Sequence, residues 1–272
     1  MKRRKSQLLS WIGLIIGAAI LLLPVIFALS RSLMTSGEAM ASASLIPEGL
    51  RWENFGVVIR SNPVFRYLLN SLIVASLVTL GAISTSALAA YALVFTEWRG
   101  KAIIFAVILS TLMVPWEVTL IPNFLLIRSL KLTDTYAGMI LPFVASAFGI
   151  FLLRQFFAQI PRDLWDAARI DGAGHVRFLF RVVLPLGAPG LLTLGFYTFL
   201  SAYNMYLWPL LTTNTPTMRT VQVGVRFLMN EESRQYPLIM AGVIIFLLPA
   251  MALLLWGNRY LVRGLMAGAV KG

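Results

Sequence analysis

Cysteine is absent from the 272 residues. That excludes a disulfide scaffold, a thiolate metal site and a cysteine nucleophile. Histidine occurs once, at His175, which argues against a zinc site and against a Ser-His-Asp triad. Charge is scarce. Asp, Glu, Lys and Arg make up 12% of the chain, against about 25% in a soluble domain, too little to cover a water-facing surface. Hydrophobic residues at 58% exclude a disordered chain. Acids number 11 against 23 Lys and Arg, for a net charge of +12. In a soluble protein that excess would suggest nucleic acid; here its distribution along the chain assigns it to membrane topology, and no nucleic-acid partner is expected. No G-x-x-x-x-G-K-[ST] string occurs, so the chain has no phosphate-binding loop of its own.

What the chain does have is long apolar runs. A membrane helix needs about 20 mostly apolar residues, and stretches at about 8–30, 67–95, 102–122, 135–157, 186–211 and 236–258 meet or approach that. The runs are continuous rather than alternating, which excludes barrel strands. The expectation is an all-α integral membrane protein, a single transmembrane domain over 1–272 with six transmembrane helices. Placing Lys2, Arg3, Arg4 and Lys5 inside puts the larger share of the 23 basic residues on inner segments, so both termini are expected on the cytoplasmic side. The first run is too long for the apolar region of a signal peptide and is read as an anchor.

The inner loop at 158–185 is the most informative stretch. Pro161 and the acids after it favour a short helix from about Arg162, and Gly172 is suited to end it in a left-handed conformation. Leu164 and Ala168 share a face, and the small Ala167 and Ala168 would let a partner approach closely. A second helix carries Val176, Leu179, Phe180 and Val183 as an apolar stripe. Such a loop could lie on lipid or dock into a partner's groove. His175 within it reads as a plain polar surface residue.

Asp166-Ala167-Ala168, then Asp171-Gly172-Ala173, then Val182-x-Leu184-Pro185 resembles the EAA loop of bacterial ABC importer permeases, in spacing throughout. Asp166 stands where the pattern has Glu, and Val182 where it has Ile. The end of the chain, 259–272 with Gly268, Ala269, Val270, Lys271 and Gly272, is similar to the tail of maltose-transporter-type permeases. Val114-Pro115-Trp116-Glu117-Val118 and Tyr206-Leu207-Trp208-Pro209 look more like the glycerol-3-phosphate branch.

The resemblance implies a multi-pass permease of the bacterial cytoplasmic membrane, importing a sugar, oligosaccharide or related polyol. It implies a second homologous permease, two cytoplasmic ATPase subunits and an extracytoplasmic solute-binding protein as partners, besides membrane lipid. It assigns ATPase coupling to Asp166, Ala167, Ala168, Asp171, Gly172, Ala173, Leu184 and Pro185, and contact with the ATPase dimer to the tail. Mg-ATP would sit on the ATPases, with no cofactor, metal or catalytic residue in this chain.

Within the membrane, Tyr197, Ser201, Asn204 and Trp208 are spaced to share one helical face. Aromatic rings with a few hydrogen-bonding groups suit a sugar. Glu117 is the one acid inside an expected span, a functional candidate by default. No Lys or Arg lies deep in a span, so an anionic substrate would need its basic partner from elsewhere. Gly81, Thr85 and Ala89, with Ala82, Ser86 and Ala90, form small-residue rows for helix packing. The rival reading is a secondary transporter or channel subunit. It would call for intramembrane charges or broken helices, of which the sequence gives little sign.

Overall fold

A computed structural model describes residues 2–41, 44–231 and 235–269; for 2–10, 227–231, 253, 254 and 256–269 it describes the backbone alone. Every regular element among the described residues is helical. The order is α1 (Lys2–Ser32), α2 (Ser36–Ala41), α3 (Glu53–Ser61), α4 (Val64–Phe95), α5 (Lys101–Thr111), α6 (Trp116–Ser129) and α7 (Tyr136–Ile140). After α7 come a 3₁₀ turn, Leu141–Phe143, then α8 (Ala147–Phe157), α9 (Asp163–Ile170) and α10 (His175–Phe178). A π-helical segment, Leu179–Val183, joins α10 to α11 (Leu184–Leu186). The chain ends with α12 (Ala188–Tyr203), α13 (Leu207–Thr212), the 3₁₀ turn Pro216–Met218, α14 (Val221–Glu231) and α15 (Tyr236–Ala269).

Two compact units divide the chain, Met1–Phe65 with Val223–Pro249, and Arg66–Gln222 with Ala250–Gly272. In the first, the segment after α1 is folded back by backbone and side-chain bonds. Arg51 N–H donates to Leu33 O at 2.9 Å, and Asn54 Nδ2 to Ser32 O at 2.8 Å and Met34 O at 3.0 Å. The second unit contains the candidate site.

Among the described residues, α1 from Trp11 and all of α4 are single helices long and apolar enough to cross a membrane. The sixth expected span falls within the single helix α15, while the third, fourth and fifth depart from single helices. The third bends by 94° between α5 and α6, and the fourth by 50° between the 3₁₀ turn and α8. Pro115 breaks the third: it lacks an N–H and its ring disfavours helical backbone at Val114. In the fourth, Ser146 is extended and caps α8, its Oγ accepting from Gly149 N–H at 3.0 Å. A broken helix exposes carbonyls that hydrocarbon cannot satisfy. Here α4 supplies a donor: Thr85 Oγ1 lies 2.6 Å from Val144 O, and Ser86 Oγ lies 3.4 Å from Ser146 O, which also accepts from Ile150 N–H at 2.9 Å. The small-residue row therefore packs against a bend. The scarcity of broken helices expected from composition is corrected, because apolar flanks conceal the breaks.

The expected fifth span also divides. His175–Leu186 meets α12 at 76°, and α12 ends at Tyr203. At the 76° bend a Cβ on Gly187 would lie 2.5 Å from Phe157 Cε1 and 2.9 Å from Val183 O, so only glycine allows α8 this close. The core below it joins Ala87, Ala90, Tyr91 and Phe95 of α4 to Leu153 and Phe157 of α8, Phe178, Leu179 and Val183, and Leu194 of α12.

Candidate functional site

The loop after α8 folds onto that core. Pro161 and Arg162 lead into α9, and Asp163 and Asp166 occupy its first turn, where carboxylates oppose the positive helix end. At the other end Gly172 N–H donates to Arg169 O at 3.0 Å and Ala173 N–H to Ala168 O at 2.8 Å. That pair of bonds, with Gly172 at φ +74°, is a Schellman ending. A Cβ on Gly172 would meet nothing within 4 Å, so the demand for glycine is conformational and not steric.

Trp165 and Ala168, three residues apart, face the core of the unit. Trp165 stacks on His175, with ring centroids 4.5 Å apart and planes 24° apart, and tilts against Phe178 at 4.9 Å. The opposite side, with Asp163, Asp166, Ala167 and Ile170, is exposed, Ile170 to 86%. This corrects the expectation for Ala168. It belongs to the inner face, and the face free for a partner is formed by Ala167 and Ile170 between the two acids. Asp171 and Ala173 flank Gly172 in the turn; Leu184 packs on the core and Pro185 is exposed on α11.

The expected stripe on the second helix is also displaced. Phe178, Leu179 and Val183 are buried, while Val176 and Phe180 are 72% and 62% exposed. The wider π-helical turn at Leu179–Val183 resets the register that a 3.6-residue period would keep.

His175 is solvent-exposed, as expected, yet it is held on two sides. Its Nδ1 is hydrogen-bonded to the Tyr91 hydroxyl at 2.8 Å, and its ring stacks on Trp165. Beside it a polar groove of about 530 Å³ runs between Thr96 and Glu97, after α4, and Arg162, Asp166 and Arg169. Arg162 and Glu97 pair across it at 3.6 Å, both exposed, an interaction worth little in water.

A second groove, of about 570 Å³, lies between α8 and α12. Tyr197, Ser201 and Asn204 line it together with Phe148, Leu152, Thr193, Phe196 and Leu200. No lining residue is charged. Tyr197 packs on Phe148 with centroids 4.9 Å apart, and Asn204 Oδ1 accepts from Gln222 Nε2 at 3.2 Å. Trp208 is not on this face. The helix stops at Tyr203, Trp208 rides on α13, and its ring is fully buried between Trp116 and Phe143 with Nε1 donating to Gly138 O at 3.1 Å. The spacing rule fails because the helix it assumes does not continue past Asn204. Glu117 is exposed in the first turn of α6, beyond the Pro115 break, and does not line the groove.

At one end of α4 the structure reveals a clamp. Asn70, fully buried, donates from Nδ2 to Thr217 O and Arg219 O, both at 2.9 Å, and its Oδ1 accepts from the Tyr136 hydroxyl at 2.7 Å. Ser71 Oγ accepts from Val221 N–H at 2.8 Å. Asp134 ties the same loop, its Oδ1 accepting from Asn214 N–H at 2.7 Å and from Thr215 N–H at 3.0 Å. Partial burial opposes the Asp134 charge, but these N–H donors and the Thr215 hydroxyl outweigh it and hold its carboxyl below the usual carboxylate range. A polar Asn-Ser pair interrupting an apolar run was the available signal for this clamp. Val270, Lys271 and Gly272 lie outside the described residues, and of Gly268 and Ala269 only the backbone closing α15 is described.

A model of the family of binding-protein-dependent transport system inner membrane components matches residues 80–266. The chain belongs to that family. It is 39% identical over 273 residues to the sn-glycerol-3-phosphate transport system permease protein UgpE of Yersinia pestis bv. Antiqua (strain Antiqua), with 97% of each chain covered. To the UgpE protein of Escherichia coli O6:K15:H31 it is 37% identical over 262 residues, with 93% of each covered. Among solved structures, a bacterial ABC transporter involved in the import of the acidic polysaccharide alginate superposes with a TM-score of 0.84. That match has 22% identity and covers 96% of this chain and 98% of the other, so it supports the fold. This membrane permease component thus carries its candidate coupling loop, the cluster under it and the groove along α12 inside the matched region.

Proposed function

We propose that this permease is one of a pair in an ATP-driven importer of a sugar, an oligosaccharide or a related polyol, glycerol 3-phosphate included. The observation that carries the reading is α9. It is a short helix between two turns, fixed to the core on the Trp165/Ala168 side and open on the Ala167/Ile170 side. An exposed apolar strip flanked by acids is suited to a groove in a partner, and we assign that partner as a cytoplasmic ATPase subunit. In this reading the chain crosses the bacterial cytoplasmic membrane six times with both ends inside, and the tail at Gly268, Ala269, Val270, Lys271 and Gly272 reaches between two ATPases. A second, homologous permease and an extracytoplasmic solute-binding protein complete the assembly. The chain is not itself an enzyme, and Mg-ATP belongs to the ATPases.

ATP-driven closure of the ATPase dimer moves the two coupling helices and turns the permease pair from inward-facing to outward-facing. The docked binding protein then opens and releases its solute. Each ligand works by preferring one of the two states. The relatives' names support a polyol phosphate, and the alginate transporter supports a saccharide. The uncharged groove with Tyr197, Ser201 and Asn204 favours a neutral hydroxylated solute at this chain; a phosphate ester would take its basic partner from the other permease.

The test is a calorimetric screen of mono- and oligosaccharides, polyols and sn-glycerol 3-phosphate on the cognate binding protein. ATPase assays of the reconstituted complex follow. One chemical class should bind, and the loaded binding protein should raise ATP hydrolysis only when this chain is present. Solute flux that proceeds without ATP and follows an ion gradient would refute the reading in favour of a secondary carrier.

A further inference from the structure

The coupling helix is joined to the rest of the chain by two turns, at Pro161-Arg162 and at Gly172-Ala173-Gly174. Turns transmit force poorly, because a few dihedral changes absorb it. For movement of α9 to reach the membrane spans, side chains must tie the helix to them. Two inward contacts are available. Ala168 offers a methyl group. Trp165 offers a ring, which lies flat on His175, 4.5 Å between centroids.

His175 is placed where three elements meet. It opens α10, which runs through the π-helical segment and α11 to the bend before α12. Its ring stacks on α9. Its Nδ1 reaches the Tyr91 hydroxyl, 2.8 Å away, on the last turns of α4. Tyr91 is buried and braced by Phe95 at 5.3 Å, and Phe95 in turn meets Phe178 at 5.3 Å. The hydrogen bond is directional and the stack is broad, so together they resist both sliding and rotation of α9 against α4. The aromatic rings alone would tolerate a slide.

We propose that His175 is a positioning residue that locks the coupling helix to α4, with Trp165 and Tyr91 as its two anchors, so that nucleotide-driven motion of α9 is delivered to the membrane spans. The proposal rests on the coupling role given to α9 above. It extends that role to residues outside the EAA-type string.

The native chain lacks cysteine, so a single Ser201→Cys reporter in the α8/α12 groove reads the response of the spans without needing the solute. The full complex with its ATPases is labelled with a maleimide, with and without vanadate-trapped nucleotide. In the otherwise native chain the labelling rate should change with nucleotide. His175→Ala should shrink that change by about threefold or more, the range expected when one link of a coupling network is cut, while ATPase subunits still co-purify. Tyr91→Phe removes the hydrogen bond but leaves the stack and should shrink the change no more than His175→Ala does, and the double variant should be no worse than His175→Ala, which already lacks the bond. His175→Gln offers an oxygen to the Tyr91 hydroxyl without the ring that stacks on Trp165, and should recover the part of the response that the hydrogen bond carries. A full nucleotide response in His175→Ala, no rescue by Gln, or additive losses in the double variant would overturn the lock. A reporter that ignores nucleotide even in the otherwise native chain, together with Gly172→Val binding ATPase normally, would overturn the coupling role of α9 and the lock with it.

Discussion

Replacing Gly172 by valine and by asparagine separates conformation from bulk at the end of α9. Nothing lies within 4 Å of the position a Cβ would take, so added volume costs nothing by itself. The backbone at φ +74° is the whole difficulty. A left-handed conformation costs an ordinary L-residue about 1–2 kcal/mol, and a β-branched one is a worse case. The two Schellman bonds that depend on this conformation contribute about 0.5–1 kcal/mol each. With the penalty of a β-branched residue at about 2 kcal/mol or more and the two bonds together at about 1–2 kcal/mol, valine leaves the turn formed in about a tenth to a half of molecules. An ATPase that needs the formed turn would then bind about two- to tenfold more weakly. Asparagine visits the left-handed region at low cost and should bind within about twofold of glycine. Titration of the purified ATPase onto the permease pair in nanodiscs measures both, with membrane yield as a control for folding. Valine binding as tightly as glycine, or asparagine as weakly as valine, would refute the reasoning.

The remaining expectations concern the loop clamp and the orientation of the chain. Asp134 has a folded-state pKa below its unfolded value, so its contribution is full above the ordinary carboxylate range and is lost as pH falls through the depressed value. Protection of the Asn214 and Thr215 amides, taken relative to intrinsic exchange at each pH, should fall over that acidic window, Asp134→Asn should reproduce the loss at neutral pH, and protection that does not change with pH would contradict it. Asn70→Ala takes the acceptor from the Tyr136 hydroxyl and removes both Nδ2 bonds to the loop at Thr217 and Arg219, though Thr217 O keeps Arg66 Nε at 3.1 Å, and should destabilise by about 1–3 kcal/mol. A denaturation midpoint in detergent tests this, and a change under about 0.5 kcal/mol would show that the clamp is slack. Gly174→Cys should react with an impermeant maleimide in inside-out vesicles and stay unlabelled in intact cells; the reverse pattern would invert the topology.

The all-helical, apolar character of the chain and the existence of α9 were legible because each rests on local chemistry. Runs of apolar residues demand burial, Pro161 admits a helix start, and Gly172 permits its end. The breaks within spans were not legible. Val144 and Ser146 sit among apolar neighbours, and the donor that makes the bend tolerable, Thr85, lies about 60 residues away on α4. Trp208 was misplaced for a related reason. Its spacing from Asn204 suits a helix, but the chain leaves the helix at Asn204 and turns the indole inward. Ala168 shows that small side chains on a short helix do not reveal which face is free. Trp165, three residues earlier, faces the core and takes Ala168 with it. His175 read as surface, and is exposed, but its role lies in partners that only the fold brings together.

The bend beside Thr85 and Ser86 also limits how the spans can move during transport. Outside a membrane, water would take over any carbonyl that a shifting helix uncovered. Hydrocarbon offers no replacement, and each stranded group costs several kcal/mol. A slide of α8 along α4 by one helical turn, about 5.4 Å, would carry Val144 O away from the Thr85 hydroxyl, while Ser146 O would keep the Ile150 N–H. That barrier is comparable to the free energies that separate conformational states. That cost opposes sliding of α8 along α4 and favours the two helices keeping their register at the bend while other contacts change.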